Sequence, residues 1–148
     1  MQDRSFSTSF TVAQSPDEVF AAITNPRGWW SEGIEGRTEK LDDEFTHRHK
    51  DMHRCTMRLT EVVPGKRLVW LCLDNYFSFT KDETEWTGTQ VIFDIAREGG
   101  KTTLRFTHQG LVPDYECYDS CSDAWSSIIK GDLRELITSA KGQPGPKE

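Results

Sequence analysis

Hydrophobic positions along the chain follow two periods, and the changes between them mark out the elements. Residues 5–12, SFSTSFTV, alternate weakly and are rich in β-branched and aromatic types, which predicts a first strand. SPDEVFAAITNP then opens a helix: Ser15 is placed to cap it, Pro16 suits the first helical position, and Glu18 completes a capping box. Val19, Phe20 and Ile23 form its apolar face, and Asn25-Pro26 ends it because the residue before proline avoids the α region. A short helical turn over PRGWW carries Trp29 and Trp30.

Between residues 34 and 109 the period falls to two. DEFTHRHKDMHRCTMRLTEV reads as a hairpin around Lys50-Asp51, and RLVWLCLDN, apolar on both faces, as a central strand. TGTQVIFDIAREGGKTTLRFTHQG is a second hairpin that turns at Glu98-Gly99-Gly100. In it Val91, Phe93 and Ile95 share one face, as do Leu104, Phe106 and His108, because side chains alternate along a strand. From about residue 114 the helical period returns: Cys117, Cys121, Trp125, Ile128, Ile129, Leu133, Leu136 and Ile137 recur at steps of three and four. Asp114, Glu116, Asp119 and Asp123 suit the positive start of that helix, Lys130, Arg134 and Lys141 its end, and Gly131 is the only soft point.

The order strand, helix, short helix, strands, long helix predicts an α+β fold. An antiparallel sheet with one wet face must cover its apolar face, and the long amphipathic helix is the available cover. A curved sheet of about six or seven strands wrapped around that helix leaves a cavity between them. Residues 1–141 are expected to form a single domain and 142–148, within the proline-bearing KGQPGPKE, a flexible tail.

SFTVAQSPDEVFAAITNPRGWW, EWTGTQVIFDI and KTTLRFTHQGLVP followed by the long helix resemble the bacterial domains similar to activator of Hsp90 ATPase. The resemblance runs from residue 5 to residue 141. It implies the helix-grip (START-like, SRPBCC) fold shared with START lipid-transfer domains, birch-pollen-type allergens and polyketide cyclases. Such domains bind lipids, hormones or polyketides in the cavity, some catalyse ring closure, and one branch stimulates a chaperone.

Composition narrows the function. A chain of 148 residues fits one domain and hides roughly 70% of its unfolded surface, so it needs no disulfide or metal to fold. Lys and Arg number 18 against 24 Asp and Glu, a net charge of −6 with no basic block, which argues against nucleic acid as partner. No apolar run approaches the ~20 residues of a membrane span. MQDRSFSTSF carries no signal-peptide apolar region. The expected compartment is therefore a reducing cytoplasm, with Cys55, Cys72, Cys117 and Cys121 as free thiols.

Four groups of residues carry candidate chemistry. Cys117 and Cys121 share a helical face and invite a metal or redox reading. A structural zinc site needs four ligands, though, and their face continues through Trp125 and Ile129 as a packed or pocket-lining stripe. In FTHRHKDMH, an odd-length loop would put Phe45, His47, His53, Cys55, Met57 and Leu59 on one face. His47, His49 and His53 then approach as a metal triad in principle; wet positions at a hairpin tip, or a pH-sensitive opening of the pocket, are the other readings. His108 ends an inward strand, where it either acts as acid or base on a ligand or serves the fold by hydrogen bonding, the second being favoured. The loop NYFSFTKDETEW, with Tyr76, Phe77, Phe79 and Trp86, reads as a mouth or lid, or else as packing over a sheet edge or a dimer contact.

The first hypothesis is binding of a small, largely apolar, lipid-like or polyketide-like molecule between sheet and C-terminal helix. Trp29, Trp30, Trp70, Phe93 and Phe106 are its expected inner wall. Tyr76, Phe79 and Trp86 frame its mouth, His108 and Tyr115 orient the ligand, and Cys117, Cys121, Trp125 and Ile129 line the helix side. The second, implied by the resemblance, is a chaperone or stress-response accessory, with a homodimer as another possible partnership. The third is a cyclase- or dehydratase-type enzyme using His108 with Asp74 or Glu85. No cofactor is implied: the P-loop-like EGGKTT lacks the earlier glycine, and no G-x-S-x-G, HExxH or CxxC occurs.

Overall fold

A computed structural model of the chain describes residues 5–30, 33–49, 53–77, 87–111 and 118–138. Among them seven antiparallel strands form one sheet: β1 (Phe6–Val12), β2 (Ile34–Gly36), β3 (Glu44–His49), β4 (His53–Val63), β5 (Arg67–Phe77), β6 (Gln90–Glu98) and β7 (Lys101–Gln109). Their order across the sheet is β1-β7-β6-β5-β4-β3-β2, so the strand that is apolar on both faces takes the centre. Between β1 and β2 the chain forms α1 (Pro16–Ile23) and a 3₁₀ turn (Pro26–Gly28). At the start of α1 the Ser15 hydroxyl accepts from the Glu18 backbone N–H at 3.2 Å. The Glu18 carboxylate accepts from the Ser15 N–H at 2.9 Å, which completes the box. Val19 and Ile23 are fully buried, and so this short helix is fixed by packing as well as by its cap.

The β6–β7 hairpin closes with Glu98 opposite Lys101. Gly99 and Gly100, at φ 58° and 85°, both occupy the left-handed region that a two-residue hairpin turn demands. In the β3–β4 hairpin Phe45 lies opposite Met57, His47 opposite Cys55 and His49 opposite His53. Three residues, 50–52, separate the strands, which is the odd-length loop that puts these pairs on one face.

Strict alternation fails in β5. The pairing with β4 slips between Thr56 and Met57, so that Met57 faces Cys72 while Thr56 faces Asp74. One extra residue, Leu73, is accommodated, and the parity of everything after it inverts. Asn75 thereby turns inward and is 1% exposed. Tyr76, expected to frame the pocket mouth, instead turns outward, where Arg54 lies over its ring at 5.8 Å. Asp74 pairs with Arg54 at 3.3 Å on the same outer side, and so it does not stand beside His108 as an acid–base pairing would require.

Phe45, Met57, Leu59, Leu68, Trp70, Phe93, Leu104 and Phe106 are buried on the inner face of the sheet. Over it runs α2 (Tyr118–Ser127), continued by a π turn (Ile128–Leu133) and α3 (Arg134–Thr138). Cys121, Trp125, Ile129, Leu133 and Ile137 are buried along this length. Their spacing of four explains the π turn. Four α-helical residues rotate the chain by about 400°, so each step drifts about 40° from the face below. A wider turn takes up the excess, and here the Arg134 N–H reaches back five residues to the Ile129 carbonyl. The sequence pattern shows the stripe and marks Gly131 as the soft point, which falls inside the π turn, but it does not show the form the irregularity takes.

Gly131 sits in the π turn, and a methyl group added to its Cα would meet nothing within 4 Å. Gly131→Ala therefore adds helix propensity without a clash and should raise stability by about 0.5–1 kcal/mol in urea unfolding followed by circular dichroism.

Candidate functional site

Between sheet and helix lies a cluster of aromatic rings. Trp29 and Trp30 enter from the segment after the 3₁₀ turn, Phe45 from β3, Trp70 from β5, Phe93 from β6, Phe106 from β7 and Trp125 from α2. Trp70 is the hub: its ring centroid is 6.1 Å from Trp29 and 5.8 Å from Trp30 in near-parallel planes. Phe45 and Phe93 stand edge-on to it at 4.9 and 5.0 Å. From there contacts continue through Phe93–Phe106 at 5.4 Å and Phe106–Trp125 at 4.7 Å, and Trp125 returns to Trp30 at 5.1 Å. Each such ring buries roughly 150–250 Å², worth about 4–6 kcal/mol at 25 cal/mol per Å². Trp30 differs from the other three tryptophans of the cluster: it is half-buried, whereas Trp29, Trp70 and Trp125 are at most 2% exposed.

His47 belongs to this cluster rather than to a wet hairpin tip. It is 4% exposed and stacks on Trp30 at 4.3 Å between centroids, with the planes 16° apart. Among the described residues no group of three His, Cys, Asp or Glu side chains is arranged to hold a metal ion.

His108 is fully buried and is held from both sides. The Trp125 indole N–H donates to its Nδ1 at 3.1 Å. An indole nitrogen can only donate, so Nδ1 carries no proton in this arrangement. The proton is then on Nε2, which donates to the Thr89 hydroxyl at 2.7 Å. This fixes one neutral tautomer and ties the C-terminal helix to the sheet. Gly110 makes room for it: at φ 102°, its missing Cβ would stand 2.7 Å from the Thr89 methyl. Beside Thr89 an open cleft of about 550 Å³ is lined by Thr87, Gly88, Thr89, Gln90, Gln109 and Gly110.

The structure thus brings together Trp29, Trp30, Trp70, Phe93, Phe106, His108, Cys121, Trp125 and Ile129 beneath or along the helix. It separates Tyr76 from them. Phe79, Glu85, Trp86, Tyr115 and Cys117 lie outside the described residues. Thr89 and Asn75 are members that sequence reasoning missed as parts of the interior, while the sequence pattern puts Phe45 and His47 on one face with Cys55, Met57 and Leu59 but not in the site. Phe45 and His47 lie opposite Met57 and Cys55 in the strand pairing, which offered a signal for them. Asn75 offered none, because its inward turn depends on the bulge.

Comparison with known proteins bears on the same frame. The family described as "Activator of Hsp90 ATPase homolog 1-like protein" matches residues 13–138. No curated protein matches the chain. Among solved structures, the Aha1 dimer from Colwellia psychrerythraea is similar at TM-score 0.73 and 19% identity, covering 93% of this chain and 98% of that one. Protein MLL2253 from Mesorhizobium loti is similar at TM-score 0.71 and 15% identity, over 92% of this chain and 98% of that one. DynU16, a protein in the dynemicin biosynthetic locus, is similar at TM-score 0.65 and 19% identity, over 97% of this chain but 49% of its own. At these identities the likeness is one of fold: an open antiparallel sheet with a C-terminal helix, the helix-grip α+β arrangement. No helix among the described residues is long and apolar enough to cross a membrane.

The described cysteines, Cys55, Cys72 and Cys121, are free thiols and buried. Burial, with Cys72 as the next contribution, pushes the Cys55 thiol well above its ordinary range. Burial likewise pushes Cys72 up to about 12, and its Sγ donates to the Asp74 carbonyl at 3.4 Å. A protonated thiol is a poor nucleophile and a poor metal ligand. In the unfolded chain these groups ionise near pH ~8.5, while in the fold they keep their protons to higher pH. Stability is therefore undiminished below about pH 8.5 and falls as pH rises from there towards 12, by up to ~1.4 kcal/mol per unit per group. Two measurements check this: urea midpoints across that range, and iodoacetamide labelling at about pH 8, which should spare Cys55 and Cys72 in the folded chain and modify both in denaturant.

Proposed function

Because the chain belongs to the activator of Hsp90 ATPase homolog 1-like family, whose fold grips a helix in a curved sheet, we propose that it binds a small, largely apolar molecule there. The observation that carries this reading is Trp30. It is a half-buried ring in an otherwise buried cluster, stacked on His47 and near-parallel to Trp70. A planar apolar ligand that displaces Trp30 meets the same partners that Trp30 leaves. Burying about 300 Å² of its apolar surface supplies roughly 7 kcal/mol before association costs, so burial alone gives affinities no tighter than about 10 μM, and polar contacts must supply the rest. The ligand classes that suit such walls are lipid-like and polyketide-like. The similarity to DynU16, from a biosynthetic locus, favours the second.

Thermal shift and native mass spectrometry against panels of both classes test the reading. One ligand per chain, a raised melting temperature and about a tenfold gain of affinity in Trp30→Ala, which vacates the place the ligand takes, are the expected results. No shift with any member of either panel would sink it.

The family description favours a second reading, an accessory to an Hsp90-type chaperone, and the Colwellia relative's dimer favours self-association in that role. Adding the chain to Hsp90 from the same cell should then raise its ATPase rate; an unchanged rate removes this reading.

A further inference from the structure

Three tryptophans of the cluster are buried, and their indole donors are accounted for differently. Trp29 Nε1–H donates to the Ala22 carbonyl at 2.9 Å. Trp125 Nε1–H donates to His108 Nδ1 at 3.1 Å. Trp70, whose exposure is 0%, has its Nε1 buried with no hydrogen-bond partner. Burying a donor without an acceptor costs free energy that a purely hydrocarbon ring would not incur. The chain nonetheless keeps an indole at the hub of its ring cluster.

We propose that Trp70 Nε1–H is the anchor for an oxygen acceptor on the ligand, which narrows the class to planar, largely apolar molecules bearing a carbonyl or ether oxygen. This rests on the ligand-binding reading above and deepens it. Three observations motivate the proposal. The donor is unpartnered and buried. The ring 5.8 Å from Trp70, Trp30, is the one member of the tryptophan cluster that remains half-exposed. The surfaces that Trp30 covers are themselves flat and aromatic, with His47 at 4.3 Å and Phe45 edge-on at 6.4 Å. A planar ligand exchanging for Trp30 would keep the stacking, and an oxygen carried beyond its ring edge into the plane of Trp70 would add the missing acceptor. Selectivity follows from the unsatisfied donor, because an apolar ligand of equal shape leaves it bare while an oxygen-bearing one satisfies it.

A competing use of the donor is a weak N–H···π contact with Phe45 or Phe93, both edge-on to Trp70. The experiment separates the two. Calorimetric titration of the full chain with 1-acetylnaphthalene and 1-ethylnaphthalene compares one ring system with and without a carbonyl. In the wild type the acetyl compound should bind about tenfold tighter. In Trp70→Phe the two affinities should converge; the smaller ring leaves a cavity, so a lower melting temperature of the free protein is expected and does not bear on the anchor. Equal binding of both compounds by the wild type overturns the anchor while leaving ligand binding intact. A preference that survives in Trp70→Phe overturns it too. If neither naphthalene nor any member of the lipid and polyketide panels binds, the ligand-binding reading itself has failed. Should Trp70→Phe not fold, the proton–nitrogen spectrum of the wild type decides. The indole signal showing through-space contacts to Phe45 and Phe93 should move downfield with the acetyl compound alone, and an unmoved signal overturns the proposal.

Discussion

Water has to be kept off the inner face of a seven-stranded sheet, and every other feature follows from how that is done. Phe45, Leu59, Leu68, Trp70, Phe93, Leu104 and Phe106 all point the same way, and no second sheet faces them among the described residues. The cover is one helical stretch from Tyr118 to Thr138, assisted by α1 and by the two tryptophans after it. The four described ion pairs lie on side chains 37–65% exposed, where each contributes no more than about 1 kcal/mol. Ring burial contributes several times that per residue, so it sets the geometry and the ion pairs follow it.

A core of large rings is held by shape, and shape needs registration. The Trp125–His108–Thr89 chain provides it. One hydrogen bond fixes the helix to β7, a second fixes the imidazole to the segment entering β6, and the indole decides which nitrogen carries the proton. A histidine so held serves the fold, and of its two candidate carboxylate partners Asp74 turns outward, while Glu85 lies outside the described residues.

Much of this is legible in the order of residues. Alternation in Gln90–Glu98 and Lys101–Gln109 assigns faces that match the observed burial, because those strands run without interruption. The Ser15–Glu18 box is readable because capping is local chemistry. The four-step stripe from Cys121 to Ile137 marks the buried side of the helix. Tyr76 and Asn75 escape such a reading for one shared reason: an extra residue at Leu73 exchanges the faces of all that follow, and nothing local in LCLDNY announces it. His47 is legible as an inward position but not as a stacking partner, since Trp30 reaches it from a segment 17 positions earlier in the sequence.

Two of the departures from regular geometry shape the interior in complementary ways. The bulge in β5 turns a polar side chain, Asn75, inward in the row that also holds Cys55 and His47. The π turn keeps Ile129, Leu133 and Ile137 inward where an ideal helix would have carried the stripe round towards solvent. One adds polarity to one end of the interior, and the other preserves apolarity along its roof. The result is a buried interior graded from rings and aliphatic groups to a few polar side chains. Relatives at 13–19% identity keep the backbone frame. The character of this interior rests on the rings and polar atoms this chain puts into the frame, and function is set there rather than by the frame itself.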